Sequence, residues 1–281
     1  MDIQYVLRTS EYYPTEWNGL ENPPERLYYV GDITLLKTRK ITVVGSRKTP
    51  VGACRTGKAI CKELATVFTI VTGTADGGDC AAAEGALAGG GKVICVLAGG
   101  FDTLPQNNSA LLNSVIQKGL LLSPYPPETA VRTFSYEYRN KLLALLGEGT
   151  FVLGADEKSG ALITAKYAIK EEKPVFALPY SPGAICDVGC NELIKKGAYL
   201  TECATDIWTP FGIKQVQRKS ATVLNTDEER TYRALKELGE THVSALTERA
   251  DIPPYKIRAV LSSLEVKGLA VSLGGNRYAP L

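Results

Sequence analysis

Seven short apolar runs alternate with helix-like segments between about Lys40 and Trp208, and this alternation restricts the fold more than any other feature. The runs are rich in Val, Ile and Leu and are mostly apolar on both faces, which is typical of parallel strands covered by helices on both sides. Strand–helix alternation of this length predicts an α/β fold with a doubly wound, mostly parallel sheet and right-handed crossovers. The runs are ITVVG (41–45), FTIVTG (68–73), VICVLAGG (93–100), LLLSP (120–124), TFVLGA (150–155), PVFALP (174–179) and AYLT (198–201).

Six segments between these runs have apolar residues spaced three and four apart and are predicted helices. They are 52–67, 79–89, 108–118, 136–147, 159–171 and 189–196.

The rest of the chain predicts three further parts. Residues 1–39 are irregular and are expected to form an N-terminal extension packed on the sheet, ahead of the main domain at 40–211. Residues 212–224 are polar and aperiodic, as in a linker. Residues 225–281 read as three helices, the first with Asp227 as N-cap, followed by a Gly-Gly hairpin, which predicts a small winged-helix domain.

Composition excludes several kinds of protein. The 281 residues carry a net charge of +2, so the whole-chain basic excess common in nucleic-acid-binding proteins is missing, and any anion site must be a local patch. The single histidine, His242, excludes multi-histidine metal sites. No apolar run approaches the ~20 residues needed to cross a bilayer, and the N-terminus does not resemble a signal peptide. A cytoplasmic protein without a membrane partner is expected.

The seven cysteines show no CxxC pair and no second ligand pair at zinc-finger spacing. We therefore expect reduced thiols with structural roles, and no metal-ligating residue is predicted.

Several strand ends carry glycine, hydroxyl groups and cations just before a helix. Ligands of open α/β sheets bind beyond the carboxyl ends of the strands, and free N–H groups at helix starts suit phosphate. As a set, these segments predict an anion-binding groove along one sheet edge. They are Gly45-Ser46-Arg47-Lys48, Thr72 to Asp79, Ala98 to Gly100 and Glu157 to Gly160.

Two common nucleotide motifs are not matched. No GxGxxG is present, and GACRTGKA (52–59) has Ala59 where a P-loop needs Ser or Thr for magnesium. No cofactor is predicted.

The segment from Phe134 to Lys141 places three aromatic residues beside Arg139, Asn140 and Lys141. Aromatic rings that stack on bases, interleaved with cations that bind phosphate, are what single-stranded nucleic acid requires. Tyr136 is thereby a candidate contact, although tyrosines that pack a helix on the sheet would give the same pattern.

Seven blocks in order resemble the DprA/Smf family, the DNA-processing proteins of natural transformation. They are VVGSRK, TGTADGGDCAAAEGAL, GKVICVLAGGFDTLPQNN, LLLSPYPP, YRNKLLALL, KSGALITAKYA and GCNELIKKGA. The resemblance covers residues ~20–205 and implies a Rossmann-like domain that binds single-stranded DNA without catalysis. It also implies a homodimer that loads the RecA recombinase onto incoming strands.

The blocks also imply site residues. The family's DNA-contacting positions correspond to Gly45, Ser46 and Arg47, the turn from Gly73 to Gly77, Arg139 and Asn140, and Lys158 to Gly160. With the residues found by pattern, the predicted DNA- or phosphate-binding set is Gly45, Ser46, Arg47, Lys48, Gly73, Gly77, Tyr136, Arg139, Asn140, Lys141, Lys158, Ser159 and Gly160. No catalytic residue is predicted.

The chain departs from the family at three places. Family members read SGxARGID where this chain has TGTADGGD, so Asp76 stands in place of an arginine and would repel phosphate. The RRNR block is here Tyr138-Arg139-Asn140-Lys141, and the N-terminal helical module of many members is absent or reduced.

Two other functions remain open at the level of sequence. A nucleotide-binding or nucleotide-hydrolysing relative of the phosphoribohydrolases would carry PGGxGTxxE, but Asp102 replaces the last glycine of that motif and the glutamate is missing. A DNA-binding regulator would act through residues 225–281, yet these hold eight Lys/Arg and eight Asp/Glu. That module is as well suited to protein as to DNA.

Overall fold

The computed structural model describes residues 2–104, 108–213 and 224–280, which fall into two compact units within 1–215 and 216–281. The linker predicted at 212–224 lies mostly outside the described residues.

Nine strands of the first unit, as far as it is described, form one sheet. They are β1 (Gln4–Leu7), β2 (Arg26–Gly31), β3 (Lys40–Gly45), β4 (Thr69–Thr72), β5 (Val93–Val96), β6 (Leu120–Ser123), β7 (Thr150–Gly154), β8 (Val175–Ala177) and β9 (Tyr199–Leu200).

The described part of the same unit contains seven helices. They are α1 (Val51–Leu64), α2 (Gly78–Ala88), α3 (Ser109–Lys118), α4 (Thr133–Leu146), α5 (Gly160–Lys170), α6 (Asp187–Lys195) and α7 (Ala204–Trp208). Short 3-10 turns lie at Thr15–Trp17, Ile33–Lys37, Phe101–Thr103 and Thr209–Phe211. All seven predicted strands and six predicted helices are present, whereas α7 was not predicted.

The strand order is β1-β2-β6-β5-β4-β3-β7-β8-β9, and the strands from β6 to β9 are parallel. The chain leaves β3 in one direction for β4, β5 and β6, and then returns to its other side for β7. The predicted α/β fold with a doubly wound, mostly parallel sheet is confirmed, and its strand order reverses between β3 and β7, where such sheets bind ligands.

Alternate residues of the central strands enter two cores, one on each face of the sheet. Val43 packs with α1, α2 and α3, whereas Val44 packs with α4, α5 and α6. Because successive residues of β3 are buried on opposite faces of the sheet, the strand appears in the sequence as a continuous apolar run, and that run predicts it.

The first 39 residues do more than pack on the sheet. β1 pairs antiparallel with β2, and β2 with β6, so the segment supplies the antiparallel edge of the sheet. Trp17 is fully buried and its indole N–H donates to the carbonyl of Leu142 in α4 at 3.1 Å.

The second unit contains α8 (Thr226–Leu238), β10 (Thr241–His242), α9 (Val243–Ala250), α10 (Pro254–Val266), β11 (Ala270–Gly274) and β12 (Arg277–Pro280). The three predicted helices and the hairpin are present, and the sheet order is β10-β12-β11. The predicted N-cap was wrong: Asn225 caps α8 by accepting from the N–H groups of Asp227 and Glu228. His242 caps α9 in this unit by accepting from Ser244.

No helix in the described parts of the chain is long and apolar enough to cross a membrane.

Candidate nucleic-acid interface

An open cavity of about 450 Å³ lies at the carboxyl ends of β3 and β7, where the strand order reverses. We call it the main groove. Ten of the thirteen predicted site residues line it, contributed by the loop after β3, the helix α4 and the entrance to α5. They are Gly45, Ser46, Arg47, Lys48, Tyr136, Arg139, Asn140, Lys158, Ser159 and Gly160.

The loop after β3 is held by Ser46. Its N–H donates to the carbonyl of Gly154 in β7 at 2.8 Å, and its hydroxyl accepts from the N–H of Lys48 at 3.1 Å. Arg47 and Lys48 come next along the chain, and their exposed side chains lie at the rim of the main groove.

The opposite wall is the start of α5. Ser159 caps the helix by accepting from the N–H of Ala161 at 3.3 Å, and the amide of Asn140 donates to the carbonyl of Gly160 at 3.1 Å. Asn140 is buried and positions the helix entrance, while Lys158 stands exposed beside it.

Arg139 lies beneath the groove rather than at its rim. It is only 5% exposed, and its Nη1 donates to the carbonyl of Val96 at 3.2 Å. Burial lowers the pKa of its guanidinium, an effect opposed by the nearby carboxylate of Asp79. Its Nε has no hydrogen-bond partner among the described residues, nor has the buried hydroxyl of Thr164, which also lines the groove. A polar ligand in this cavity could satisfy both of these buried groups.

Asp79 connects the loops after β3 and β4. Its carboxylate accepts from the N–H of Gly45 at 3.1 Å and from that of Ala75 at 3.4 Å. Burial raises the pKa of this carboxyl, against the opposing effect of Arg139. The N-cap of α2 is Gly77, and Asp79, in the first turn of this helix, reaches across to the end of the neighbouring strand.

The two predicted glycines of the second loop support the groove without lining it. Gly73 leaves room for Arg139 and Asp79, whose side-chain ends a Cβ at this position would strike. Gly77 has φ +79°, and a Cβ there would meet the carbonyl oxygens of Ser46 and Arg47.

Lys141 lies outside the main groove. Its Nζ is 4.9 Å from the ring centroid of Tyr167, and the hydrogen bond to that tyrosine raises its pKa.

A second opening of about 250 Å³, which we call the side cavity, adjoins the main groove. Arg47, Ala75, Tyr136 and Arg139 border both. Asp76 lies on the wall of the side cavity and does not line the main groove. Its Oδ1 accepts from the side-chain amide of Asn108 at 2.8 Å.

The charges at the main groove favour an anion. The rim cations Arg47, Lys48 and Lys158 have no carboxylate within ion-pair distance in the described ranges, so they are available to phosphate. Tyr136 is 39% exposed, and its ring lies 5.8 Å from the guanidinium of Arg47 and 6.0 Å from that of Arg139. An exposed ring among cations can stack on a base whose phosphate the cations bind.

Sequence reasoning missed the roles of Asn108 and Asp79. Nothing local marks either residue, since Asn108 is 32 positions from Asp76 and Asp79 is 34 positions from Gly45.

The residues with metal-binding side chains do not converge. Among residues 2–104, 108–213 and 224–280, no three His, Cys, Asp or Glu side chains are placed to hold a metal ion. Cys61 and Cys190 are buried, and burial raises the pKa of each thiol to about 12.

Comparison with known proteins identifies a matching family model and similar proteins in two organisms. The family model described as DNA recombination-mediator protein A matches residues 4–212. The DNA processing protein DprA of Streptococcus pneumoniae is 36% identical over 203 residues, which is 71% of each chain. The protein Smf of Escherichia coli is 30% identical over 278 residues, or 95% of this chain and 74% of that one.

Two solved structures are similar in fold. DprA of Streptococcus pneumoniae superposes with a TM-score of 0.70 at 33% identity, covering 74% of both chains. DprA of Helicobacter pylori, whose structure concerns its single-stranded DNA binding mode, gives a TM-score of 0.67 at 32% identity, covering 74% of this chain and 95% of that one.

Proposed function

Since this chain belongs to the DNA recombination-mediator protein A family, also called DprA/Smf, we propose that it binds single-stranded DNA without catalysis and processes DNA during transformation or recombination. The proposed contacts are the predicted site residues that line the main groove.

The geometry of the main groove carries this proposal. Exposed cations without acidic partners among the described residues flank an exposed tyrosine at the strand-order reversal. Backbone phosphates suit the cations and a base suits the ring, and neither contact requires a particular sequence. Two unsatisfied buried polar groups at the same cavity add to the support.

We further propose that the protein protects incoming DNA, loads a RecA-type recombinase and acts as a homodimer in the cytoplasm. The family membership supports these roles. We also interpret residues 225–281 as a winged-helix domain, on the order of three helices and a hairpin.

The test of DNA binding compares labelled single-stranded and double-stranded oligonucleotides of equal length across a salt series. We expect preference for the single strand and a steep fall in affinity with salt, because cations bind the phosphates. The same preparations are assayed for release of base or ribose phosphate from nucleotides. No single-strand preference, together with such release, would contradict the proposal and favour a nucleotide hydrolase.

The mediator role is tested by following assembly of a RecA-type recombinase on single strands with and without the chain. Faster assembly supports loading. Unchanged or slower assembly, with DNA binding intact, would restrict the protein to DNA binding.

A further inference from the structure

The first turn of α4 exposes a phenylalanine. Phe134 is 62% exposed, whereas the other five phenylalanines of the chain are buried or half-buried. Contact between an apolar ring and water is unfavourable, so a flat partner that covers this ring is stabilised there. The residues around Phe134 indicate the chemistry of that partner.

An exposed arginine lies two residues before the ring. The guanidinium of Arg132 forms no ion pair with a carboxylate in residues 2–104, 108–213 and 224–280. Arg132, Tyr136 and Arg139 are spaced i, i+4 and i+7, which places them along one face of a helix. Tyr136 and Arg139 line the main groove. Arg132 therefore extends the groove-facing side of α4 by one turn with a further cation.

Phe134 belongs to a different face of the same helix. It shares that face with Tyr138, which lies four residues further on. The ring of Tyr138 lies 6.2 Å from that of Tyr125, in the loop after β6. The surroundings of Phe134 on this side are therefore aromatic rather than acidic.

The start of α4 separates the two exposed rings, Phe134 and Tyr136, and Arg132 precedes both. A helix with its side chains is only about 10–12 Å across, so a few nucleotides suffice to pass over its end. A strand with one base on Tyr136 can thus bring a phosphate to Arg132 and a later base to Phe134. The first acid of α4, Glu137, accepts from the hydroxyl of Tyr167 in α5 at 3.4 Å, which directs this carboxylate towards α5.

We propose that the start of α4 is a second contact site for single-stranded DNA, in which Phe134 stacks on a base and Arg132 binds a phosphate between that base and the one at Tyr136. This inference rests on the proposed binding of single-stranded DNA and extends the path of the strand beyond the main groove. Stacking on a phenyl ring and attraction of phosphate act on any base, so the site adds affinity without sequence preference.

The test of stacking measures dissociation constants of the full chain for labelled oligothymidine of about 20 nucleotides, which exceeds the usual site size of a single-strand-binding domain. Phe134→Ala should weaken binding about tenfold, because the stacked base loses its partner. Phe134→Tyr keeps a flat ring and should bind like the wild type. Phe134→Leu keeps an apolar side chain without the ring and should lose most of what Phe134→Ala loses.

The matched control is Tyr255→Ala. Tyr255 is an exposed aromatic residue in α10 of the second unit, outside the proposed contacts. Its removal should leave the affinity unchanged. Because Phe134 is exposed, the urea unfolding midpoint of Phe134→Ala should equal that of the wild type, so a loss of affinity is not a loss of folding.

The salt dependence separates the ring from the cation. Arg132→Ala should lower the slope of log affinity against log salt by roughly 0.7, the contribution of one phosphate on a single strand. Arg132→Lys keeps the charge and should keep the slope. Phe134→Ala should weaken binding at every salt concentration with an unchanged slope, because it removes no charge.

The outcomes separate the two proposals. If the wild type binds no single strand, the proposed function fails and this inference with it. If the wild type binds and the Ala variants of Phe134 and Arg132 bind equally well, the second site is wrong and DNA binding stands. The stacking is also wrong if Phe134→Leu binds like the wild type, or if Phe134→Ala changes only the assembly of the recombinase. A loss in Phe134→Ala that Phe134→Tyr restores, together with the lower slope of Arg132→Ala, supports the inference.

Discussion

Arg47 and Arg139 carry the same charge at one groove but in different surroundings. Arg47 is exposed, with no ion pair to a described carboxylate, whereas Arg139 is buried beside Asp79. The exposed side chain of Arg47 can move to contact a phosphate. The buried side chain of Arg139 is already desolvated and is held in place by its neighbours. The two residues therefore call for different experiments.

Replacing Arg47 by Ala should weaken single-strand binding about tenfold, since a charge-assisted phosphate contact is lost. The slope of log affinity against log salt should fall by roughly 0.7, the contribution of one phosphate on a single strand. Lys141→Ala removes the same charge at a position facing Tyr167, and its slope should match the wild type. Equal changes of the salt slope in Arg47→Ala and Lys141→Ala would show that the slope depends on net charge and not on the position of the cation.

Gly73→Ala should destabilise the first unit by about 1–3 kcal/mol, because the new methyl group must displace Arg139 or Asp79. Gly52→Ala is the control: no atom lies within 4 Å of its added Cβ, and it sits in α1, so the change should stabilise by up to about 1 kcal/mol. Urea unfolding followed by tryptophan fluorescence measures both, since Trp17 and Trp208 both lie in the first unit. A Gly73→Ala variant as stable as the wild type would show that the side chains of Arg139 and Asp79 move aside at little cost in free energy.

At the scale of elements, the start of α8 depends on a buried carboxylate. Glu228 is 2% exposed, and its carboxylate accepts from the N–H of Asn225, the hydroxyl of Ser263 and the ammonium of Lys267. The hydrogen bond from Lys267 contributes most to lowering the pKa of Glu228, which falls to about 2 from its ordinary 4.5. Three elements, α8, α10 and the turn after α10, meet at this one side chain.

The stability that Glu228 provides should depend on pH. Because its folded pKa is lowered, the contribution is complete above the ordinary value of 4.5 and is lost as the pH falls towards about 2. Hydrogen exchange of the α8 amides in the full chain, compared with Glu228→Gln, should show a difference at neutral pH that shrinks across this window. A difference that persists unchanged at pH 2 would exclude the ionised carboxylate as its source.

The elements differ in how far the sequence predicted them. The strands and helices from β3 to β9 were found within a few residues, because buried parallel strands are apolar throughout. β1 and β2 were not found, since RLYYVG has both buried and half-buried positions and its partner β6 lies about 90 residues away. The main groove was predicted because strand ends are visible in sequence, but the side cavity required Asn108 to meet Asp76 across the fold.

At the scale of the whole molecule, the two units differ in how their charges are placed. In residues 225–281, eight cations balance eight acids, and several are paired with one another, among them Lys256 with Asp227, Lys267 with Glu228 and Arg277 with Glu240. In the first, cations at the main groove remain without such partners among the residues described. The total of +2 conceals this contrast.

A chain shortened to residues 1–213 should therefore retain single-strand affinity within about threefold, and the same salt slope, because every proposed contact lies in the first unit. Arg47→Ala in the shortened chain should lose as much affinity as in the full chain. A loss above about tenfold on truncation alone would place essential DNA contacts in residues 214–281.

The bonds from Asp79 to Gly45 and Ala75 have a consequence for kinetics. They join the loops after β3 and β4 before any ligand arrives, so little rearrangement is needed when a strand docks. Encounter is then governed by diffusion and by attraction to the exposed rim cations, which salt weakens. Differences in affinity between strands would accordingly lie in how long each remains bound rather than in how quickly it arrives.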